Sequence, residues 1–299
     1  MRRREFLTTG AAGLTLASTG YAAAPAKPFM SLSYSPSGVD LEAELARGVA
    51  ETRIRLDIDL VRKYTDRIRT YTVDRGLDRV LPMAQQAGLK VSLGLYLGRN
   101  KNHNDLEIAR GTKLYATYGK IIDRIYVGNE CLQRKDMTVA ELINYVRRVR
   151  TFIANPALQV GTAEAWYDWQ KNRELAGVCD FVGAHLFPYW DGVPASEAVD
   201  HVDRRYDELK AIFPGKPLLI SETGWPSAGP RYMGAVPSLE GQEQFTRAFV
   251  ARAALKKYDY NFCEAYDQPW KEKSLEAGVG AHWGLFGRMR EPKIPFVKA

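Results

Sequence analysis

The sequence predicts an α/β protein built as a single (β/α)₈ TIM barrel, on three observations. Eight short apolar or β-branched runs alternate with helical patterns along the chain. No glycine-rich phosphate fingerprint follows the first run, which argues against an open dinucleotide-binding sheet. Residues 27–299 number 273, close to the roughly 250 that such barrels usually occupy.

The expected strands are 29–33, 67–71, 90–96, 124–127, 159–163, 181–186, 217–221 and 261–265. Each is short and rich in Val, Ile, Leu, Phe or Tyr, as strands covered on both faces are. Helices are expected at 76–87, 138–154, 196–212 and 242–256, and Thr138 followed by Glu141 reads as a capping box. Two segments are least constrained by pattern, 35–66 after the first strand and 226–240 after the seventh. The second carries Gly229, Pro230, Gly234 and Pro237 and is expected to be an active-site loop.

Residues 1–26 are expected to be a twin-arginine export signal, with 27–299 as the catalytic domain. Arg3-Arg4, a spacer and Phe6-Leu7 open a weakly apolar stretch, and Ala-x-Ala patterns follow at Ala22–Ala24 and Ala24–Ala26. A cytosolic amphipathic helix is the competing reading, and Gly10, Gly13 and Gly20 argue against it. The signal implies a periplasmic or secreted protein. Its removal takes away three Arg and one Glu, so the formal charge of +7 becomes +5.

That charge is ordinary, and the basic residues are scattered, as with Arg147, Arg148 and Arg150, so no nucleic-acid partner is expected. Nothing after the signal is long and apolar enough to span a membrane, and a monomer is expected. Cys131, Cys179 and Cys263 are too few for a disulfide scaffold and read as buried free thiols. His103, His185, His201 and His282 have no metal-ligand spacing, and no serine sits in a nucleophile elbow. Neither metal nor cofactor is expected, and His185 alone is placed near the site, in a core or supporting role.

The chemistry rests on two carboxylates. Glu130 closes the run Ile125 to Glu130, and Glu222 follows Leu218 to Ser221, so both fall at the C-terminal ends of strands. That end of a barrel is where active sites form. Retaining glycosidases need such a pair about 5–5.5 Å apart, one to protonate the leaving oxygen and one to attack the anomeric carbon. Two unrelated surface ion pairs are the plainer alternative. Asn129 could bond a sugar 2-hydroxyl or merely form a turn. Aromatics cluster at strand ends, among them Tyr34, Tyr71, Phe187, Tyr189, Trp190, Trp225 and Tyr266. Singly they read as rim packing; together they suggest a groove whose flat faces match pyranose rings. Tyr96, Trp166, Trp270 and Trp283 share that placement.

In these segments the chain resembles glycoside hydrolase family 17, the β-1,3-glucanase family. The matches are YVGNE at 126–130, ISETGWPS at 220–227, EAYDQPWK at 264–271 and HWGLF at 282–286, with RIRTYTV at 67–73 and FVGAHLFPYW at 181–190. The resemblance implies that Glu130 is the general acid/base and Glu222 the nucleophile of a retaining enzyme that cleaves β-1,3-glucan. Asp267 and Lys271 join Asn129 and the aromatics as substrate-binding candidates. For Glu130 to be protonated near neutrality its pKa must be raised, and the neighbouring Glu222 carboxylate is expected to raise it. Asp267-Gln268 stands where the family usually has Asp-Glu, which is expected to alter the network around Lys271. A β-1,3-glucanosyltransferase using the same two residues is one alternative, and a catalytically inactive glucan-binding protein is another.

Overall fold

The computed structural model describes residues 27–38, 48–273, 276 and 278–297. The expected export signal lies outside the described residues. Eight parallel strands close on themselves in chain order. They are β1 (Leu32–Ser33), β2 (Arg67–Arg69), β3 (Lys90–Leu95), β4 (Ile122–Asn129), β5 (Gln159–Ala165), β6 (Val182–His185), β7 (Leu218–Thr223) and β8 (Asp259–Phe262). Between successive strands run α1 (Glu51–Val61), α2 (Val80–Gln86), α3 (Lys101–Tyr118), α4 (Val139–Ile153), α5 (Trp166–Lys171), α6 (Ala198–Ile212) and α7 (Leu239–Lys256). After β8 the described residues form short 3-10 turns at Pro269–Lys273, Gly280–His282 and Pro295–Val297, with isolated bridges from Phe286 to Tyr266 and Pro292. The (β/α)₈ expectation holds.

Side-chain alternation explains the layers. On β4, Ile125 and Val127 pack outward against the helices, whereas Arg124 and Tyr126 face the barrel interior. The lowest interior layer is ionic: Arg124 and Arg67 both reach Asp259, and Arg67 also pairs with Asp123. Above it Tyr126, Phe181, Leu219 and Ala163 form a small apolar plug. Room for that plug comes from missing side chains. A Cβ on Gly161 would lie 2.9 Å from the Phe181 ring.

Helix α4 shows how the outer ring is specified. Leu142, Val146 and Val149 bury one stripe. Thr138 Oγ1 accepts the Glu141 amide while Glu141 returns a bond to the Thr138 amide, completing the capping box. Strand β7 extends beyond its expected end, so Glu222 lies inside the strand. Its registers with β6 and with β8 both shift near this point. Such an irregularity resets the alternation and brings Glu222 to the face that His185 occupies. The three cysteines are free and buried. No described helix is long and apolar enough to cross a membrane.

Candidate active site

Glu130 is the first residue after β4 and has φ +52°, a left-handed conformation unusual for a residue with a side chain. Five hydrogen bonds hold the turn there. Its amide donates to Ala163 O at 2.8 Å. The next two amides, of Cys131 and Leu132, donate to the two oxygens of Glu164 on β5 at 2.9 and 3.2 Å. Arg134 then folds back to donate to Asn129 O and Leu97 O. Gly128 at φ +83° starts this turn, and a Cβ there would lie 2.6 Å from Cys131 Sγ. Glu164 is fully buried, and burial pushes its pKa up to about 8.

Glu222 receives Arg69 from β2. Arg69 Nη1 donates to Glu222 Oε1 at 2.5 Å and to Ser221 O at 2.8 Å, and Nη2 donates to Asn129 Oδ1. The guanidinium is buried, with the Tyr126 ring 4.4 Å from it and the Tyr71 ring 4.8 Å. Spending Oδ1 on Arg69 leaves the Asn129 amide NH₂ to donate elsewhere.

His185 stands between the carboxylates. Nδ1 lies 2.8 Å from Glu130 Oε1 and Nε2 lies 3.5 Å from Glu222 Oε1. This overturns the expected pKa of Glu130. Burial is the largest influence and would raise it. The His185 hydrogen bond and charge, then Arg134 and Arg69, outweigh burial, so the net direction is down. An imidazole separating the carboxylates replaces the like-charge repulsion that was to do the raising.

Beyond β8, Lys271 Nζ donates to Glu264 Oε1 at 3.1 Å. Burial pushes Glu264 up to about 7 against the opposing ammonium. Glu276 also bears electrostatically on Lys271 and on both Glu130 and Glu222. Asp267 instead pairs with Lys293 at 2.6 Å and accepts the Gly284 amide. Gln268 is buried, donates to Ser35 O and Tyr266 O, and accepts from Trp270. The residue that departs from the family pattern thus braces backbone, and Lys271 takes its carboxylate from Glu264.

Several expected sugar platforms are displaced. Tyr34 is 2 % exposed and gives its hydroxyl to Asp57, while Tyr266 is closed off with its hydroxyl on Asp57 O. Tyr189 is 1 % exposed because loop 226–240 folds over it: its hydroxyl donates to Pro230 O, and Trp190, Trp225, Tyr232 and Trp283 surround the ring. Trp225 is fully buried against Phe245. These rings are core. Trp190 keeps 39 % of its surface exposed, and Tyr232, at 43 %, joins it at 6.3 Å. Tyr71 and Phe187 are half-buried beside Arg69 and His185. Sequence reasoning missed three residues here. Arg69 could have been found as a second arginine two residues after Arg67, on the same strand RIR, Glu164 as a carboxylate just past the expected end of β5, and Tyr232 as an aromatic in the loop. No cluster of described residues has the makings of a metal site.

Comparison with known proteins follows the same line. The family model described as the BtgE/BtgC glycoside hydrolase domain matches residues 31–284. The btgC protein of Aspergillus niger is 28 % identical over 91 % of this chain, which spans only 43 % of that relative's length. A glucan 1,3-beta-glucosidase of Arthroderma benhamiae is 28 % identical over 80 % of this chain and 82 % of its own. The crystal structure of a glycoside hydrolase family 17 beta-1,3-glucanosyltransferase from Rhizomucor miehei superposes with a TM-score of 0.80 at 27 % identity, covering 91 % of this chain and 98 % of that one.

Proposed function

The chain belongs to the BtgE/BtgC glycoside hydrolase family, and from that premise we propose that it is a retaining glycosidase acting on β-1,3-glucan. The observation that carries the reading is the placement of Glu130 and Glu222 on the two nitrogens of one buried imidazole, at the C-terminal mouth of the barrel.

In the first step Glu222 attacks the anomeric carbon while Glu130 gives a proton to the departing glycosidic oxygen, and a glycosyl-enzyme ester forms. In the second step Glu130 takes a proton from water, which displaces Glu222. Arg69 fixes the direction of the nucleophile and balances its charge. Asn129, with its oxygen held by Arg69, offers its NH₂ to the sugar 2-hydroxyl, a bond that strengthens in the transition state. Trp190 and Tyr232 supply exposed aromatic faces for the glucan chain.

The Rhizomucor miehei relative favours a second outcome of the same chemistry, in which a sugar hydroxyl replaces water. Incubation with a defined laminari-oligosaccharide separates the two. Shorter products alone indicate hydrolysis, and products longer than the substrate indicate transfer. Glu222→Gln is expected to abolish both, and undiminished cleavage by that variant would remove the assignment. We also propose that residues 1–26 direct twin-arginine export of a monomeric 27–299 domain to the periplasm or medium. Replacing Arg3 and Arg4 by Lys should then retain the protein in the cytoplasm.

A further inference from the structure

His185 ends β6, is shut off from water, and is held edge-on by Phe187. Its Nδ1 faces Glu130 at 2.8 Å, and its Nε2 faces Glu222 at 3.5 Å with no closer hydrogen-bond partner. A ring nitrogen bearing a lone pair would repel a carboxylate oxygen, so a proton is needed on each side of the ring. Two arrangements supply them. One is an imidazolium between two carboxylates. The other is a neutral imidazole with Nε2–H towards Glu222 and a protonated Glu130 towards Nδ1. The Arg69 guanidinium on Glu222 Oε1 disfavours a third, with the proton on Glu222. The first two hold the same number of protons and differ in the place of one.

We propose that His185 is a positioning residue that stores the proton of the acid/base: the proton rests on Nδ1 in the free enzyme and passes to the Glu130 carboxyl when substrate enters. This rests on the reading of Glu130 as acid/base. On transfer the Nδ1–H bond breaks and a carboxyl O–H bond forms. The ring becomes neutral, keeps Nε2–H towards Glu222, and leaves the nucleophile anionic. The glycosidic oxygen then takes the proton from Glu130 together with the electron pair of its broken bond to the anomeric carbon. In the second step Glu130 takes a proton from water or an acceptor hydroxyl, and the pair is restored.

Other charges bear on this pair from every side: Arg69 on β2, Arg134 after β4, Glu164 on β5, Tyr167 and Asp168 on α5, Glu222 on β7 and Glu276 after β8. Two groups that exchange one proton hold it at least as tightly as either alone, so the pair and not Glu130 sets the pH at which it is lost.

The test has two arms. Nitrogen-15 NMR of histidine-labelled protein reads the ring without substrate. Both His185 nitrogens should be protonated in the wild type at mildly acidic pH, and only one in Glu130→Gln at the same pH. The same ring state in both proteins overturns the proposal. In the second arm, the pH profile of kcat/KM is measured for His185→Asn, which can still donate to Glu130. Its alkaline limb should move to lower pH, each unit costing about tenfold in rate above the limb. A loss uniform across pH, with the limb unmoved, would make His185 a packing residue only. A wild type that cleaves and transfers no β-glucan removes the parent reading, and the NMR arm still decides the proton.

Discussion

Replacing Arg69 by Met removes the charge that faces Glu222 while keeping an apolar stem between Tyr71 and Tyr126. Three bonds disappear, to Glu222 Oε1, Ser221 O and Asn129 Oδ1. Glu222 is then a nearly buried carboxylate left with only His185 at 3.5 Å, and Asn129 is free to turn. Breaking a buried ion pair from one side costs about 3–5 kcal/mol. At about 1.36 kcal/mol per tenfold, losing even 3 kcal/mol of that from the transition state lowers kcat/KM by more than about a hundredfold. The remaining part of that cost, about 1–2 kcal/mol, falls on the fold, and at about 2–4 °C per kcal/mol Tm should drop by about 2–8 °C. Steady-state kinetics on laminari-oligosaccharide, corrected for the folded fraction by circular dichroism, measure both. A folded Arg69→Met protein within tenfold of wild-type kcat/KM would refute the view that Arg69 orients the nucleophile.

Other outcomes follow from the same geometry. Tyr189→Ala should destabilise the protein by about 3–5 kcal/mol in urea unfolding, the scale for a large buried aromatic, with little change in kinetics per folded molecule; Trp190→Ala should do the reverse, raising KM at nearly unchanged Tm. Glu264, pushed up to about 7, binds a proton in the fold more tightly than in the unfolded chain. Its contribution is therefore complete below about pH 4.5 and lost as pH rises towards 7, so Glu264→Gln should flatten the fall in unfolding free energy between those values. Thr138→Ala, which removes the cap of α4, should cost about 1 kcal/mol and leave activity alone.

The barrel was legible because eight short apolar runs, mostly separated by helical patterns, leave few other closures, and Glu130 and Glu222 were legible because each ends such a run. What escaped was direction. A strand-end aromatic looks the same in sequence whether it points to the groove or under a loop, and only the fold of 226–240 over Tyr189 decides between them. Arg69 escaped because an arginine in a three-residue strand reads as a charge at the edge, whereas here it is enclosed by two tyrosines. The bridging role of His185 depends on register shifts on both sides of β7, which no local pattern announces.

The account turns on Glu222 forming a covalent bond to sugar. An activated 2-deoxy-2-fluoro-β-laminaribiosyl fluoride slows the second step, so the intermediate should accumulate and be found by peptide mass spectrometry. The account predicts one adduct, on the peptide containing Glu222, absent from Glu222→Gln and released by adding an acceptor sugar. An adduct on another carboxylate, or turnover of natural substrate with inversion of the anomeric centre, would contradict it.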